Sequence, residues 1–285
     1  MSPVVCRGCG RPTVRLRLKV GQWNIVQCRS CGLAFLDPFP TLESLKRLYN
    51  SDYFEEHIDY YCSAEQIEEH VQRARPLVEK IMRFRPTPGC LLDVGCGMGF
   101  FLAAARQAGW RVWGVEISAW ACDFARQTLG LETVICSDTL GQAELPSQMF
   151  DVVTMWHVLE HVPEPGEFIA EASRLLQPEG LLVVETPNFA SLEAWRHRER
   201  WRGLDVPYHL YHFTPRTMRV LLEQHSFRIL AIEFEMLYRA SVWLRKIRQS
   251  PNSRLGQFLR RYLTGRDMTF YAMLASHFLE EINAA

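Results

Sequence analysis

A chain of 285 residues that is 48 % hydrophobic can bury the core of about two domains, which excludes a disordered or fibrous protein. Its 32 Lys and Arg balance 32 Asp and Glu, so no overall field recruits nucleic acid or acidic membrane, and an electrostatic partner must meet a local patch. No apolar run approaches the about 20 residues of a membrane span, and MSPVVCRGCG lacks the apolar stretch of a secretory leader, so the expected location is the cytoplasm.

Nine cysteines fall into two groups: Cys6, Cys9, Cys28 and Cys31 form two CxxC pairs, and the rest are scattered, a pattern of metal site plus free thiols. Between the pairs Val14, Leu16, Leu18 and Val20 alternate with Arg15, Arg17 and Lys19 before a turn at Gly21, which predicts a hairpin between two knuckles. Gly10 and Gly32 close the knuckles and can take the positive φ they use. Four thiolates so spaced make the closed tetrahedral site of a structural Zn²⁺, a ribbon over residues 1–37. Residues 1–36 carry six cations and no carboxylate, a face for RNA phosphates or a plain solvated hairpin.

Asp37-Pro38-Phe39-Pro40 opens a helical connector over 38–85. Leu42, Leu45, Leu48 and Tyr49 recur at helical spacing, and a second helix starts at a Ser63/Gln66 capping box, with Pro76 expected to restart it. From residue 86 onward the pattern is α/β. CLLDV, RVWGVE, TVICSD, FDVVTM and LLVVET are short apolar runs separated by helical stretches, which predicts a parallel sheet covered on both faces.

Leu92-Asp93-Val94-Gly95-Cys96-Gly97-Met98-Gly99 ends the first of these strands just before a helix, so a ligand there meets bare backbone and a helix N-terminus. Phe100 stands where a dinucleotide fingerprint needs glycine, which disfavours nicotinamide. Glu116 ends the second strand, nineteen residues after Gly97, where a carboxylate can accept from both hydroxyls of a ribose, and Asp138 at the end of the third can meet an adenine amino group.

LDVGCGMG, VWGVEIS, FDVVTMWHVLEHV, LLQPEGLLVVETPN and PYHLYHFTPRTM, in this order, resemble the class I S-adenosylmethionine-dependent methyltransferases, and among them a bacterial subgroup with an N-terminal zinc ribbon. The resemblance implies a Rossmann-like seven-stranded sheet over 86–285, its last strand, Met268 to Leu274, antiparallel and paired with Arg228 to Phe234. It implies that Asp93, Gly95, Gly97 and Gly99 shape the methionine end of the S-adenosylmethionine pocket, with Cys96 merely small and without redox role. Glu116 and its neighbour Ile117 then hold the ribose, Asp138 and Thr139 face the adenine, and Trp156 closes over the cofactor.

Methyl transfer from a sulfonium needs alignment and exclusion of water, and an aliphatic hydroxyl also needs a base or a metal ion for its proton. His157, Glu160 and His161 (H-x-x-E-H) are expected on one side of a helical turn. Ubiquinone-type and small-RNA methyltransferases show a related E-x-x-E-H that holds a divalent ion with a later His, for which His209 and His212 are the candidates here. His157 in place of Glu argues for a softer second divalent ion or none. Without one, His161 or His209 is the general base and Glu160 pairs locally.

Residues 194–202 and a basic insertion over 237–267, with its cations at 239–266, are expected near the substrate; the latter suits anionic lipid, a phosphate-linked substrate or a simple lid. The expected activity is O-methylation of a sugar, glycan precursor or small-metabolite hydroxyl. The alternatives are an RNA methyltransferase using the ribbon and the insertion, and a non-catalytic scaffold that keeps the cofactor site.

Overall fold

The structure, a computed structural model, describes residues 4–41, 44, 63–234 and 266–275. The helix expected at Leu42–Tyr49 and the basic insertion up to residue 265 lie outside them, and Asp267, expected inside the insertion, already opens a strand.

Two sheets organise the chain. The smaller has the order β1-β2-β3-β9, from β1 (Val14–Val20), β2 (Trp23–Cys28), β3 (Ala34–Asp37) and β9 (Tyr211–His212), all antiparallel. The hairpin turns at Gly21 as its sequence predicts, but a bulge between Leu16 and Leu18 breaks the alternation: Leu18 is buried and Leu16 is 60 % exposed. The fourth strand comes from far along the chain, so the ribbon is stitched into the rest of the protein.

The larger sheet has the order β10-β11-β8-β7-β4-β5-β6, from β4 (Cys90–Val94), β5 (Arg111–Glu116), β6 (Val134–Cys136), β7 (Phe150–Trp156), β8 (Leu176–Pro187), β10 (Phe227–Phe234) and β11 (Asp267–Leu274). Only β11 runs antiparallel to its neighbours, pairing Phe227–Phe234 with Met268–Leu274 as the sequence reading expects. All five residues of β4 are buried, because a central parallel strand is covered on both faces.

The helices are α1 (Ala64–Met82), α2 (Phe100–Gln107), α3 (Ala119–Gln127), α4 (Pro165–Leu175), α5 (Leu192–His197) and α6 (Pro215–Gln224). The Ser63/Gln66 capping box starts α1, but Pro76 does not restart it; the helix runs through. Val71, Ala74, Val78 and Ile81 form one buried face, and packing against α2, with His70 stacked on Phe100 at 4.9 Å, outweighs the lost hydrogen bond. No helix among the described residues is long and apolar enough to cross a membrane.

Candidate active site and metal clip

The first cluster forms where β4, β5 and β7 end side by side. Gly95, Gly97 and Gly99 hold φ of 70°, 52° and 84°, and Gly99 serves as the N-cap of α2 without any side-chain cap. A Cβ on Gly99 would sit 2.6 Å from Leu131 Cδ1, whereas one on Gly97 would meet nothing within 4 Å, so the turn packs tightly behind and opens in front. Glu116 is 6 % exposed, and its two oxygens are split: Oε2 accepts from the Gly97 N–H at 2.8 Å and Oε1 from the Ser118 N–H at 2.9 Å. Each oxygen keeps a second lone pair, as a carboxylate needs to receive a diol.

Asp93 lies behind this turn, 2 % exposed, accepting from the Thr154 hydroxyl at 2.6 Å. Burial, against that hydrogen bond and with the charge of Glu116 adding to it, pushes its carboxyl up to about 8. Cys96 is buried with its thiol pushed well up, which fits a small packing residue and no redox role. Ile117 is 43 % exposed at the lip. Asp138 and Thr139 are exposed and lie beyond β6, which ends at Cys136 rather than at Asp138, because Ser137 already turns to donate to the Thr139 carbonyl. Trp156 ends β7 and packs edge-on against Phe101, with ring centroids 5.4 Å apart.

The second cluster follows β7. Residues 157–161 form a turn, not the expected helical turn, and His157 takes φ +54°. Its Nδ1 faces Glu160 Oε1 at 3.1 Å and its Nε2 faces Glu185 Oε1 at 3.3 Å. Burial alone would lower this imidazole, but the two carboxylates outweigh it and hold His157 at about 10. Both of its ring nitrogens thus face carboxylates, and it is not among the three residues whose ligand atoms the fold brings together. In its place the fold brings His209: ligand atoms of Glu160, His161 and His209 lie within 4.8 Å of one another. His161 Nδ1 donates to the Tyr208 carbonyl at 3.2 Å and His209 Nδ1 to the Gly203 carbonyl at 3.0 Å, which leaves the lone pair of each neutral ring on Nε2. Burial, partly offset by Glu160, brings His161 down to about 4. Glu160 is 1 % exposed, and its Oε2 is buried with no hydrogen-bond partner among the described residues. His212 stands apart on β9, 3 % exposed, against Phe189.

Glu185 is the residue that sequence reasoning passed over. Its signal was there: an acid in an otherwise apolar run, at the C-terminal end of a central strand, where ligands gather in α/β sheets. Thr269 of β11 donates to its other oxygen.

The third cluster joins the knuckles. Cys6 and Cys31 Sγ atoms stand 3.6 Å apart, as do those of Cys9 and Cys28, and all four lie within 4.8 Å of one another. Four sulfurs at about 2.3 Å from a tetrahedral zinc would be separated by about 3.8 Å, so the donor set fits Zn²⁺. Burial raises the Cys28 thiol, but N–H groups of Cys31 and Ser30 and the Thr13 hydroxyl outweigh it and bring Cys28 to about 6, toward the thiolate a metal takes.

Solved structures share this architecture. An S-adenosylmethionine-dependent methyltransferase from Archaeoglobus fulgidus superposes with TM-score 0.56 at 23 % identity, over 78 % of this chain and 99 % of that one. Magnesium protoporphyrin IX methyltransferase from Synechocystis, with S-adenosylhomocysteine bound, gives 0.55 at 19 %, over 81 % and 98 %. In sequence, the ubiquinone biosynthesis O-methyltransferase of Actinobacillus pleuropneumoniae is 36 % identical over 106 residues, 34 % of this chain and 45 % of that protein. Its namesake from Pasteurella multocida is 33 % identical over 118 residues, 37 % and 48 %. The chain spans about half the length of these relatives. A family profile described as "Methyltransferase domain" matches residues 64–232, more than half of the chain, and the protein belongs to that family.

Proposed function

We propose that this chain is an S-adenosylmethionine-dependent methyltransferase that transfers a methyl group to a hydroxyl of a sugar, glycan precursor or small metabolite, with a structural zinc in the ribbon, in the cytoplasm. The observation that carries the cofactor assignment is the Glu116 carboxylate shared between the glycine turn and the start of α3. S-adenosylmethionine, when bound, supplies a methyl group on a positively charged sulfur. Glu116 and Ile117 would hold the ribose, Asp93 and the turn the methionine end, Asp138 and Thr139 the adenine side, and Trp156 would help to exclude water. The likeness to ubiquinone biosynthesis O-methyltransferases supports oxygen as the acceptor atom.

As the C–O bond forms and the C–S bond breaks, the hydroxyl proton must leave. His157, held at about 10, is already protonated at neutral pH, and His161, brought to about 4, is too weak a base. That leaves His209, whose Nδ1 donates to the Gly203 carbonyl and whose Nε2 can take the proton. A second reading rests on the bare Glu160 Oε2: with His161 and His209 it could ligate a divalent ion that acidifies the hydroxyl. Chelation that leaves one zinc per chain, counted by mass spectrometry, decides between them. Unchanged turnover removes the ion.

Calorimetric titration of the zinc-loaded protein with S-adenosylmethionine and S-adenosylhomocysteine tests the assignment as a whole. Micromolar binding, followed by S-adenosylhomocysteine release in the presence of hydroxyl acceptors, is the expected result; binding without release in the presence of any acceptor favours the scaffold, and no binding by folded protein overturns the cofactor assignment.

The raised Asp93 gives a further expectation. Its carboxyl is neutral below about 8, so a cationic ligand gains affinity as the pH rises through that value and Asp93 ionises. The ligand's own amino group, near pKa about 8, works in the opposite direction and is common to all variants. The ratio of wild-type to Asp93→Asn affinity should therefore grow by about tenfold between pH 6.5 and 8.5, a change of about one pKa unit in free energy. A ratio flat with pH would show that Asp93 does not sense the bound charge.

A further inference from the structure

The charges of this neutral chain are segregated by its fold. Residues 1–36 carry Arg7, Arg11, Arg15, Arg17, Lys19 and Arg29 without a carboxylate, and residues 195–202 carry Arg196, Arg198, Arg200 and Arg202 against Glu199 alone. The structure sets the two stretches side by side: Cα atoms of β1 come within 8 Å of those of the short 3-10 turn Arg198–Arg200. Arg15, Arg17 and Lys19 are exposed on β1, the outer strand of the ribbon sheet, and the four arginines of 196–202 are exposed too. Arg198 pairs with Glu199 at 3.7 Å.

Cations on an edge strand by themselves only discourage strand pairing. That does not account for a second cationic segment brought against the same edge, where like charges repel unless an anion sits among them. Each segment of this wall also presents an exposed apolar side chain, Leu16 of β1 at 60 % and Trp195 at 69 %. The segment is also tied to the site: the short turn Arg202–Leu204 continues it, and there the Gly203 carbonyl receives the Nδ1–H of His209 at 3.0 Å.

We infer that the cationic wall of β1 and residues 195–202 binds the phosphoryl group of a phosphate- or diphosphate-linked small acceptor, with the attached ring lying on Trp195. The inference rests on the methyltransferase reading and names its substrate class. Guanidinium groups match phosphate oxygens in pairs, and an exposed indole offers a face to a sugar or base.

The test is calorimetry on the zinc-loaded full chain with inorganic pyrophosphate and uridine diphosphate as probes, beside S-adenosylmethionine. Both probes should bind at low salt. The paired changes Arg198→Ser with Arg200→Ser, and Arg15→Ser with Arg17→Ser, should each weaken them tenfold or more while S-adenosylmethionine affinity stays within twofold, and Trp195→Ala should weaken uridine diphosphate but spare pyrophosphate. No probe binding by protein that binds S-adenosylmethionine overturns the inference, and so do probe affinities indifferent to both arginine pairs. Tighter capture by phosphatidylglycerol vesicles or by single-stranded RNA, abolished by the same arginine changes, overturns it in favour of a membrane or nucleic-acid surface. If S-adenosylmethionine itself does not bind, the methyltransferase reading fails separately, and the pyrophosphate affinities still judge the wall.

Discussion

Glu116→Ala should weaken S-adenosylmethionine binding by 100-fold or more, measured by calorimetry on protein that keeps its zinc and its far-ultraviolet spectrum. The variant removes two acceptors at once. A hydrogen bond to a charged group is worth about 1.5–3 kcal/mol net, so losing both ribose contacts costs about 3–6 kcal/mol, or two to four powers of ten in affinity. The damage also reaches the receiving surface, because the N–H groups of Gly97 and Ser118 lose their common partner, and the glycine turn is left with only its backbone hydrogen bonds to Val115 of β5. Glu116→Gln should fare almost as badly: a carboxamide offers one oxygen where two N–H donors need one each, and turns an NH₂ toward the other. Affinity within threefold of wild type in either variant would show that this carboxylate does not face the cofactor.

That this prediction could be framed from sequence follows from how local the first cluster is. Asp93, the three glycines and Glu116 sit on a strand, a turn and the next strand, and the parallel pairing of β4 with β5 fixes their distance once the strand ends are known. The four-cysteine group is equally local, two knuckles and a hairpin. The His cluster is different. His161 and His209 meet only because the fold returns residues 203–212 to the end of β7, where Leu210 N–H and Tyr211 N–H both donate to the Glu160 carbonyl. Nothing in H-x-x-E-H announces that His157 is held between Glu160 and a second carboxylate, since Glu185 arrives from the neighbouring strand β8. Helix geometry also misled over 157–161, where a histidine with φ +54° cannot belong to a right-handed turn. Pro76 misled for the opposite reason: local grammar said break, and the buried face of α1 overruled it.

The ribbon and the His cluster are mechanically joined, and Cys28→Ser should expose that joint. A three-stranded ribbon this small has too little core to stand without a clip. Binding of a structural zinc is worth about 10 kcal/mol or more in domains of this size, so losing one buried thiolate should empty the site and melt the ribbon strands. The consequence does not stop at Asp37. Leu36 N–H donates to the Leu210 carbonyl at 2.9 Å, β3 pairs with β9 through Ala34–His212 and Phe35–Tyr211, and the same Leu210 and Tyr211 hold the backbone of Glu160. Hydrogen exchange should therefore accelerate by tenfold or more at Ile25, Leu36 and Tyr211, while amides of β4 and β7, in the other sheet, stay protected. The chain should lose its one equivalent of zinc and keep S-adenosylmethionine affinity within a fewfold, because Glu116 and the glycine turn share no strand with the ribbon. If the proposed roles of Glu160 and His209 hold, transfer to a hydroxyl should fall much further than cofactor binding. Unchanged exchange at Leu36 and Tyr211 in zinc-free protein would mean that the ribbon holds itself together, and that the coupling between clip and active site is not there.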